Sequence, residues 1–445
     1  MYKKYFGPLF FSNRFFACLS VVVILFVFAF FFKWMVILPK LILAVCFVLT
    51  IVDYFLLFSP SKTFFARRST PERLSNGDEN NVSVYVENRY RFPVDIGVID
   101  EIPFQFQRRD IWFKARLLPG QHTNILYHLR PSKRGSYEFG NVHVFTRSPI
   151  GLIMRRFSFD NAQTVPVYPS FLQMRKYQLM AISNRLSEIG VKKIRKIGHS
   201  MEFEQIRDYV KGDDYRTVNW KATARKHQLM VNNFTDEKSQ QVYCVINKGR
   251  MMKMPFEGLS LLDYAINASL VLSNVALLKQ DKAGLITFSE EIGAFLQADK
   301  RATQMNAILE VLHNQKTRYL ESDFEKLFTL IRGRITQRSL IILFTNFESM
   351  SSLQRELPYL RKIARYHLLL VVFFENTEIK QLLEEDAKDV EGIYVKTIAE
   401  KFTQEKKQVV KELQKYGILS ILTAPKNVTV NTVNKYLELK NRQAI

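Results

Sequence analysis

The sequence predicts a multi-domain protein with an N-terminal transmembrane helical hairpin, an antiparallel β-sandwich and an α/β domain. Three observations along its 445 residues lead to this prediction. Two long apolar runs open the chain, short segments with a two-residue alternation follow, and strands then alternate with helical stripes. The boundaries that we expect are 1–60 for the hairpin, 61–170 for the sandwich, 171–235 for a connector and 236–445 for the α/β domain.

The hairpin is predicted from two apolar runs, Phe15–Phe32 and Val36–Phe58. Each is long enough to cross a bilayer as a helix. A cleaved signal peptide is the alternative for the first run, but no small-residue cleavage site follows and a second span comes at once. Pro39 marks the tight connection between the spans. Asp53, near the end of the second span, is expected to face the membrane interface, with a proton relay as the alternative.

Flanking charges predict the topology of this hairpin. The connection between the two spans contains only two cations, Lys33 and Lys40. More cations flank the hairpin, namely Lys3, Lys4 and Arg14 before it and Lys62, Arg67, Arg68 and Arg73 after it. Positive flanks favour the cytoplasm. We therefore expect a protein of the inner membrane with two spans, both termini and the soluble domains being cytoplasmic.

The overall charge and the cysteines limit the class of protein. A net charge of +22 suits an anionic membrane surface or nucleic acid. Nucleic acid is not expected, because the charge is spread and no recognition helix or stacking motif is visible. Cys18, Cys46 and Cys244 do not form a disulfide framework, which favours a reducing compartment.

The sandwich is predicted from residues 64 to 167. Val82, Val84 and Val86 alternate with polar or larger residues, which is the period of a half-buried strand. Turn signals such as Leu118-Pro119-Gly120 separate further short runs, as in an antiparallel sandwich. The histidines of this region, His122, His128 and His143, are dispersed, and we expect none of them to bind a metal.

The connector carries two charged stretches. A basic cluster is interpreted as a solvated loop or a contact with anionic headgroups, and it comprises Lys192, Lys193, Arg195 and Lys196. Residues 201–234 mix acids, bases and aromatic residues, which favours paired charges around turns. We expect a helix, a Gly-Asp turn, a second helix from Trp220 to Lys226 capped by Asn219 or Thr217, and a strand Leu229–Phe234.

This second stretch resembles the signature of the bacterial family called domain of unknown function 58. The matching residues are Glu202, Phe203, Arg207, Tyr209, Gly212, Asp213, Asp214, Arg216, Asn219, Trp220, Lys221 and Arg225. The segments Arg134–Tyr137 and Pro149–Leu152 also resemble the β-domain that precedes the signature in that family. The resemblance implies a von Willebrand factor type A-like, Rossmann-like fold for the α/β domain, as does its strand and helix order.

The positions that would hold a divalent cation in a type A domain have changed in this sequence. They read Asn247, Lys248, Gly249, Arg250 and Met251, and a later aspartate position is Asn346. Mg²⁺ prefers carboxylates and water. We therefore predict a degenerate site without metal or other cofactor, in which Asn247 and Asn346 hydrogen-bond each other or nearby loop backbone.

The functional hypothesis is an interaction protein without catalysis. Motifs for phosphate loops, zinc sites and nucleophile elbows are missing from the sequence. The family resemblance implies a MoxR-type AAA+ ATPase as partner, in envelope protein assembly or quality control. We expect docking at Lys248, Gly249 and Arg250, and contact with membrane lipids. The alternatives are an acid-base enzyme that uses His199, Asp213 and Asp214, or a surface for lipid or nucleic acid. The client and the oligomeric state stay open.

Overall fold

The computed structural model describes residues 8–59, 64–108, 111–182, 201–210, 213–236, 239–317, 320–384 and 389–442. The chain divides into two compact units, Met1–Tyr168 and Pro169–Ile445. The first unit contains the hairpin together with the β-sandwich, and the second contains the signature stretch and the α/β sheet. The basic cluster at 192–196, His199 and Gly212 lie outside the described residues.

The hairpin consists of helices α1 (Asn13–Phe31) and α2 (Ile37–Phe58), joined by a 3₁₀ turn at Lys33–Val36. Ser12 caps α1, since its hydroxyl accepts hydrogen bonds from two backbone N–H groups of the first turn. Both helices are long and apolar enough to cross a membrane. Pro39 lies within the first turn of α2 and not in the connection. In a first turn, the missing N–H group of proline costs no intrahelical hydrogen bond.

The β-sandwich has one five-stranded sheet, in the order β1-β10-β9-β5-β6, packed against two three-stranded sheets, β2-β4-β7 and β3-β11-β8. Antiparallel pairing dominates, with β3 and β11 as a short parallel pair. Inward-facing residues such as Val82, Val84 and Val86 are fully buried, which confirms the alternation seen in the sequence. The strands are β1 (Leu9–Phe11), β2 (Phe64–Ser69), β3 (Leu74–Ser75), β4 (Asn80–Asn88), β5 (Val94–Asp100), β6 (Trp112–Leu117), β7 (His122–Leu129), β8 (Gly135–Phe139), β9 (Val142–Arg147), β10 (Ile153–Phe159) and β11 (Gln163–Tyr168).

Both ends of the hairpin are attached to this sandwich. Before α1, strand β1 pairs antiparallel with β10, so that Leu9 lies opposite Arg155. After α2, the chain enters the sandwich again as β2, and Leu57 in the last turn of α2 is buried in the sandwich core. Because both ends join one folded domain, α1 and α2 must leave it and return to it on the same side.

Asp53, which the sequence analysis expects to face the membrane interface, is fully buried between α2 and the turn from β9 to β10. Its carboxyl group accepts hydrogen bonds from the backbone N–H of Leu152 and of Ile153, both at 2.8 Å, and from the Ser148 hydroxyl. A buried carboxyl group needs such partners. Asp53 therefore holds α2 on the Pro149–Leu152 segment.

The signature stretch forms a β-hairpin with a short helix. Strands β12 (Met201–Asp208) and β13 (Met230–Asp236) pair antiparallel, and α4 (Trp220–Lys226) lies in their connection. A further helix, α3 (Phe171–Ile182), precedes them. The helix expected at the start of the stretch is wrong, because cross-strand pairing with β13 makes this segment extended. The helix from Trp220 to Lys226 and the following strand are confirmed.

The α/β domain is built on a six-stranded sheet in the order β18-β17-β14-β19-β20-β21. All strands run parallel except the edge strand β18, which the sequence analysis did not predict. The strands are β14 (Gln241–Asn247), β17 (Lys282–Phe288), β18 (Ile292–Asp299), β19 (Leu340–Phe344), β20 (Leu368–Phe374) and β21 (Leu419–Thr423), and a small ladder joins β15 (Pro255–Phe256) to β16 (Leu259–Ser260). The parallel α/β architecture is thus confirmed.

Helices cover both faces of this sheet. Residues of α5 (Leu261–Leu278), α6 (Gln304–His313) and α11 (Val428–Asn441) share one core, and those of α7 (Phe324–Arg334), α8 (Met350–Tyr366) and α10 (Val390–Lys415) share the other. Helix α9 (Thr377–Glu384) follows β20. Although α5 is long and apolar enough to span a bilayer, 83% of its apolar window is buried inside the domain. It is therefore a core helix.

Candidate functional site

The carboxyl ends of the parallel strands meet at one edge of the α/β sheet. Strand β14 ends at Asn247, β19 is followed by Thr345 and Asn346, and β20 ends at Phe374. Loops at this edge form the usual ligand end of an open parallel sheet. Asn247 and Asn346, the two positions compared above with a type A cation site, thus lie at the same edge of the sheet.

Asn247 is the centre of a closed hydrogen-bond network and is only 2% exposed. Its amide donates to the Thr345 hydroxyl at 3.0 Å, and its carbonyl oxygen accepts from the Gly249 backbone N–H at 2.8 Å and from the Ser322 hydroxyl at 2.5 Å. A Cβ atom at Gly249 would overlap the Ser322 hydroxyl, so that a larger residue here would have to displace that hydroxyl from Asn247. Sequence reasoning missed Ser322, which comes from a different loop.

Asn346 does not contact Asn247 but binds a lysine from helix α10. The Lys406 ammonium group donates to the Asn346 side-chain oxygen at 2.7 Å and to the Phe374 backbone carbonyl at 2.9 Å. Burial lowers the pKa of Lys406 to about 8, although Glu348 and Glu375 act in the opposite direction. In the described part of the chain, no carboxylate lies within ion-pair distance of this ammonium group.

Sequence analysis also missed Lys406. Helical spacing could have revealed this lysine, because Lys406 lies on the same side of α10 as the buried residues Ala399, Val409 and Leu413. A lysine on the buried stripe of a helix needs an acceptor in the interior. Its acceptor, Asn346, lies 60 residues earlier in the chain, and no local pattern connects the two.

A pocket of about 260 Å³ opens beside this lysine. Its walls are mainly apolar and come from several loops and helices, with Met254, Ile379, Phe402 and Leu422 among them. The polar groups that line it include Lys406, Lys407, Asn346, Glu348 and Glu375. An apolar pocket with a few converging polar groups is the common form of a ligand-binding site.

An exposed apolar face continues from this pocket along α10. Its residues are Val390, Ile393, Tyr394, Val395, Ile398 and Phe402, with fractional exposures between 44% and 72%. Most of them recur at intervals of three or four residues and therefore lie on one side of the helix. Phe402 belongs to both features, which makes the pocket and the apolar face of α10 one continuous surface.

The three residues expected to dock a partner differ in accessibility. Lys248 is buried, with its ammonium group beside Gly293 and the Thr287 hydroxyl, and Gly249 is buried as well. Arg250 is exposed and begins a 3₁₀ turn. The surface charge of this loop is therefore carried by Arg250, and the Lys248 ammonium group is directed towards β18.

In the signature stretch, the acidic residues have structural partners. The Arg207 guanidinium donates two hydrogen bonds to the Asp213 carboxylate, at 2.7 and 2.8 Å, and the Val210 backbone N–H donates a third at 2.9 Å. Arg207, and then the Val210 N–H, lower the pKa of Asp213. Asp214 accepts from the Arg216 backbone N–H at 3.0 Å and caps a 3₁₀ turn.

The remaining signature residues divide into a cap and an exposed set. Asn219 caps α4 by accepting from the Ala222 N–H at 3.0 Å, and it donates to the Asn232 side chain at 2.8 Å. Trp220 is 71% exposed. Lys221, Arg216 and Arg225 are also exposed, Tyr209 is half-buried, and Glu202 and Phe203 lie in β12. The stretch is thus held by Arg207, Asp213 and Asn219, and it presents Trp220 outwards.

The two described acids of the acid-base alternative have separate structural partners. Asp213 is engaged by Arg207 and Asp214 by its own turn, whereas His199 lies outside the described residues. Within the described ranges, no group of three or more His, Cys, Asp or Glu residues could hold a metal ion.

Comparison with protein families identifies the region around this site. Residues 205–382 match the family described as protein of unknown function DUF58. The match includes the signature from Arg207 onwards and both Asn247 and Asn346, whereas Lys406 lies beyond it. The "Uncharacterized protein YeaD" of Bacillus subtilis (strain 168) is 29% identical over 204 residues, which cover 42% of this chain and 49% of YeaD. The chain thus spans about half the length of this curated relative.

Two solved β-domains are similar to about a quarter of this chain. The CARDB domain of the PF1109 protein from Pyrococcus furiosus is 10% identical and covers 23% of this chain and 86% of its own, with a TM-score of 0.17. The ASH / PapD-like domain of human CEP192 is 12% identical and covers 24% of this chain and 87% of its own, with a TM-score of 0.17.

Proposed function

We propose that this chain is a membrane-anchored cytoplasmic adaptor that binds a MoxR-type AAA+ ATPase through the carboxyl edge of its α/β sheet. The process that it serves would be assembly or quality control of envelope proteins. The observation that supports the proposal best is the surface formed by the Lys406 pocket and the apolar face of α10. The ATPase itself is proposed from the family resemblance.

The pocket offers one hydrogen-bond donor inside apolar walls. An ammonium group has three N–H donors, and Lys406 directs two of them to Asn346 and Phe374. The third is available to an acceptor of the partner, such as a carboxylate or a backbone carbonyl. In this arrangement the lysine supplies the positive charge that a bound cation would supply, and the closed network around Asn247 makes the edge rigid without an ion.

The apolar face of α10 would provide most of the contact area. Contiguous exposed apolar side chains mark interaction sites more often than scattered ones do. Large apolar residues at the centre of an interface commonly contribute most of its binding free energy. Arg250, on the same edge, would add a positive charge at the rim, which affects mainly the rate and specificity of association.

Anchoring in the membrane is proposed from α1 and α2 together with their attachment to one domain. The pairing of β1 with β10 and the entry of the chain into β2 require both ends of the hairpin to lie on one side. The excess of flanking Lys and Arg assigns that side to the cytoplasm.

The proposal is tested by capturing a purified MoxR-type ATPase with the full-length protein in detergent. Ile398→Asp places a charge on the apolar face of α10 and should reduce capture about tenfold or more. The matched control is Leu126→Asp, because Leu126 is 57% exposed on the sandwich and Ile398 is 52% exposed on α10. Equal capture by both variants and by the wild-type protein would show that the ATPase does not bind this surface.

A second variant separates binding from folding. Lys406→Met keeps the length and the apolar stem of the side chain but removes the buried charge, so that we expect the domain to stay folded. Loss of capture without loss of stability would support a direct role of the ammonium group. If capture is unchanged, Lys406 is a structural residue and the docking surface reduces to the apolar face of α10.

A further inference from the structure

The outer face of the five-stranded sheet carries a groove that the adaptor function does not use. The groove has a volume of about 320 Å³. Cross-strand pairing places Phe10, Met154, Arg147, Asp95 and Arg116 in one row across the sheet, from β1 to β6. Paired residues of neighbouring strands share a face of the sheet. This row therefore forms one end of the groove.

Aromatic rings form the floor of the groove. The Trp112 indole lies across Gly97, where a Cβ atom would overlap its ring. Phe145 lies next to it, with ring centroids 5.3 Å apart, and Phe10 follows at 5.6 Å from Phe145. Trp112 lines the groove and is 41% exposed, and Phe10, at the margin of the groove, is 37% exposed.

The rim of the groove is positively charged. Asp95 is the single carboxylate among the described residues that line the groove. Four cations lie on the same face of the sheet, namely Lys114, Arg116, Arg147 and Arg156. Asp95 approaches Arg116 only to 3.8 Å, and both side chains are more than half exposed. Such an exposed pair contributes little and is easily rearranged. The face therefore has an excess of cations that are free to meet an anion.

The row of Arg147 and Arg116 lies at the end of the sandwich that carries the hairpin. Arg147 immediately precedes Ser148, whose hydroxyl donates to Asp53 of α2. Two residues separate Phe10 from the start of α1, and Phe10 is paired with Met154. If α1 and α2 cross the bilayer, these side chains lie at the depth of the lipid headgroups.

We propose that this groove binds the headgroup of an anionic phospholipid. Arg116 and Arg147 contact the phosphate, because guanidinium groups match its geometry with two parallel hydrogen bonds. Phe10, beside the start of α1, contacts the glycerol and upper acyl region, whereas Trp112 and Phe145, farther from the hairpin along the strands, contact the polar part of the headgroup beyond the phosphate, as amphipathic aromatic rings do at headgroup level. The inference rests on the membrane anchoring of the proposed function, but it does not depend on the ATPase.

The test uses the full-length protein in detergent, titrated with phosphatidylglycerol or with phosphatidylcholine and followed by native mass spectrometry. The double variant Arg116→Gln, Arg147→Gln removes two cations near the headgroup and should weaken binding of phosphatidylglycerol about thirtyfold. Binding of phosphatidylcholine should not change. The control Lys133→Gln, Arg134→Gln removes the same charge between β7 and β8, at the opposite end of the sandwich, and should bind phosphatidylglycerol like the wild-type protein.

Fluorescence locates the lipid within the molecule. The sequence contains three tryptophans, so that Trp34→Phe with Trp220→Phe leaves Trp112 as the single reporter. Phosphatidylglycerol should shift the emission of Trp112 to shorter wavelength, and phosphatidylcholine should not. Equal affinity for the two lipids, equal binding by the Gln variant, or unchanged Trp112 emission would each overturn the proposal. ATPase capture in phosphatidylcholine nanodiscs tests the adaptor function separately.

Discussion

Removing the Asp53 carboxyl group should detach α2 from the sandwich. In Asp53→Ala, the buried backbone N–H groups of Leu152 and Ile153 lose their acceptor. An unpaired buried N–H group costs about 1–3 kcal/mol. We therefore expect the free energy of unfolding of the sandwich to fall by about 2–6 kcal/mol, before any loss from the Ser148 hydroxyl is added.

Asp53→Asn should have an intermediate effect. The amide oxygen can still accept from the two backbone N–H groups, but the amide nitrogen faces the Ser148 hydroxyl. The Ser148 oxygen already accepts from the backbone N–H groups of Ile150 and Gly151, at 3.1 and 3.2 Å. It is a poor acceptor for a third donor, and its own proton loses its partner. We expect less than half of the loss caused by alanine.

The assay is urea unfolding of the full-length protein in detergent, followed by pulse proteolysis of the sandwich. Thr50→Val is the control in the same helix, because the Thr50 hydroxyl bonds only within α2, to the Cys46 carbonyl at 2.7 Å. Asp53→Ala combined with Ser148→Ala completes a double-mutant cycle, which should give a coupling energy of about 1 kcal/mol. Wild-type stability of Asp53→Ala would refute the reasoning.

Three further predictions concern the α/β unit. Because the pKa of Lys406 is lowered to about 8, the unfolded chain binds this proton more tightly than the folded chain does. The free energy of unfolding should therefore rise by about 3 kcal/mol as the pH increases from 8 to the ordinary pKa of a lysine side chain. Urea unfolding at several pH values should show this rise, and Lys406→Met should abolish it. Asn219→Ala removes the cap of α4 and should cost about 1 kcal/mol, whereas Arg216→Ala should cost little; thermal melting of both variants distinguishes them. Calorimetric titration with Mg²⁺ should detect no tight site in the wild-type protein. In Asn346→Asp, the new carboxylate should pair with Lys406, which should raise the pKa of the lysine without increasing the affinity for Mg²⁺.

The sequence was informative where burial follows a local period. The strands Leu340–Phe344 and Leu368–Phe374 are visible in the sequence itself, because parallel strands buried on both faces form continuous apolar runs. The sandwich strands were recognised by alternation. Asn219 is one of the two caps that the sequence offers for α4, with Thr217 as the other, because a cap is a local interaction, and the structure selects Asn219.

Long-range partners explain what was missed. Strand β12 has a mixed charged pattern, and only its pairing with β13 makes it extended, since strand formation depends on its neighbours. Asn346, the side-chain acceptor of Lys406, and the groups that donate hydrogen bonds to Asp53 lie 60 to 100 residues away along the chain. Edge strand β18 likewise depends on its partner β17. Such contacts leave no spacing that a single sequence displays.

If α1 and α2 cross a bilayer, the short strand β1 links membrane insertion to the order of folding. Leu9–Phe11 are synthesised before both helices, yet their partners Ile153–Arg155 follow after most of the sandwich has been made. The sheet can be completed only if the N-terminal residues have stayed on the same side of the bilayer as β10. A chain inserted with its first residues on the opposite side would leave the edge of β10 unpaired and open to proteolysis or aggregation. In that arrangement, completion of the sandwich would depend on the topology of the hairpin.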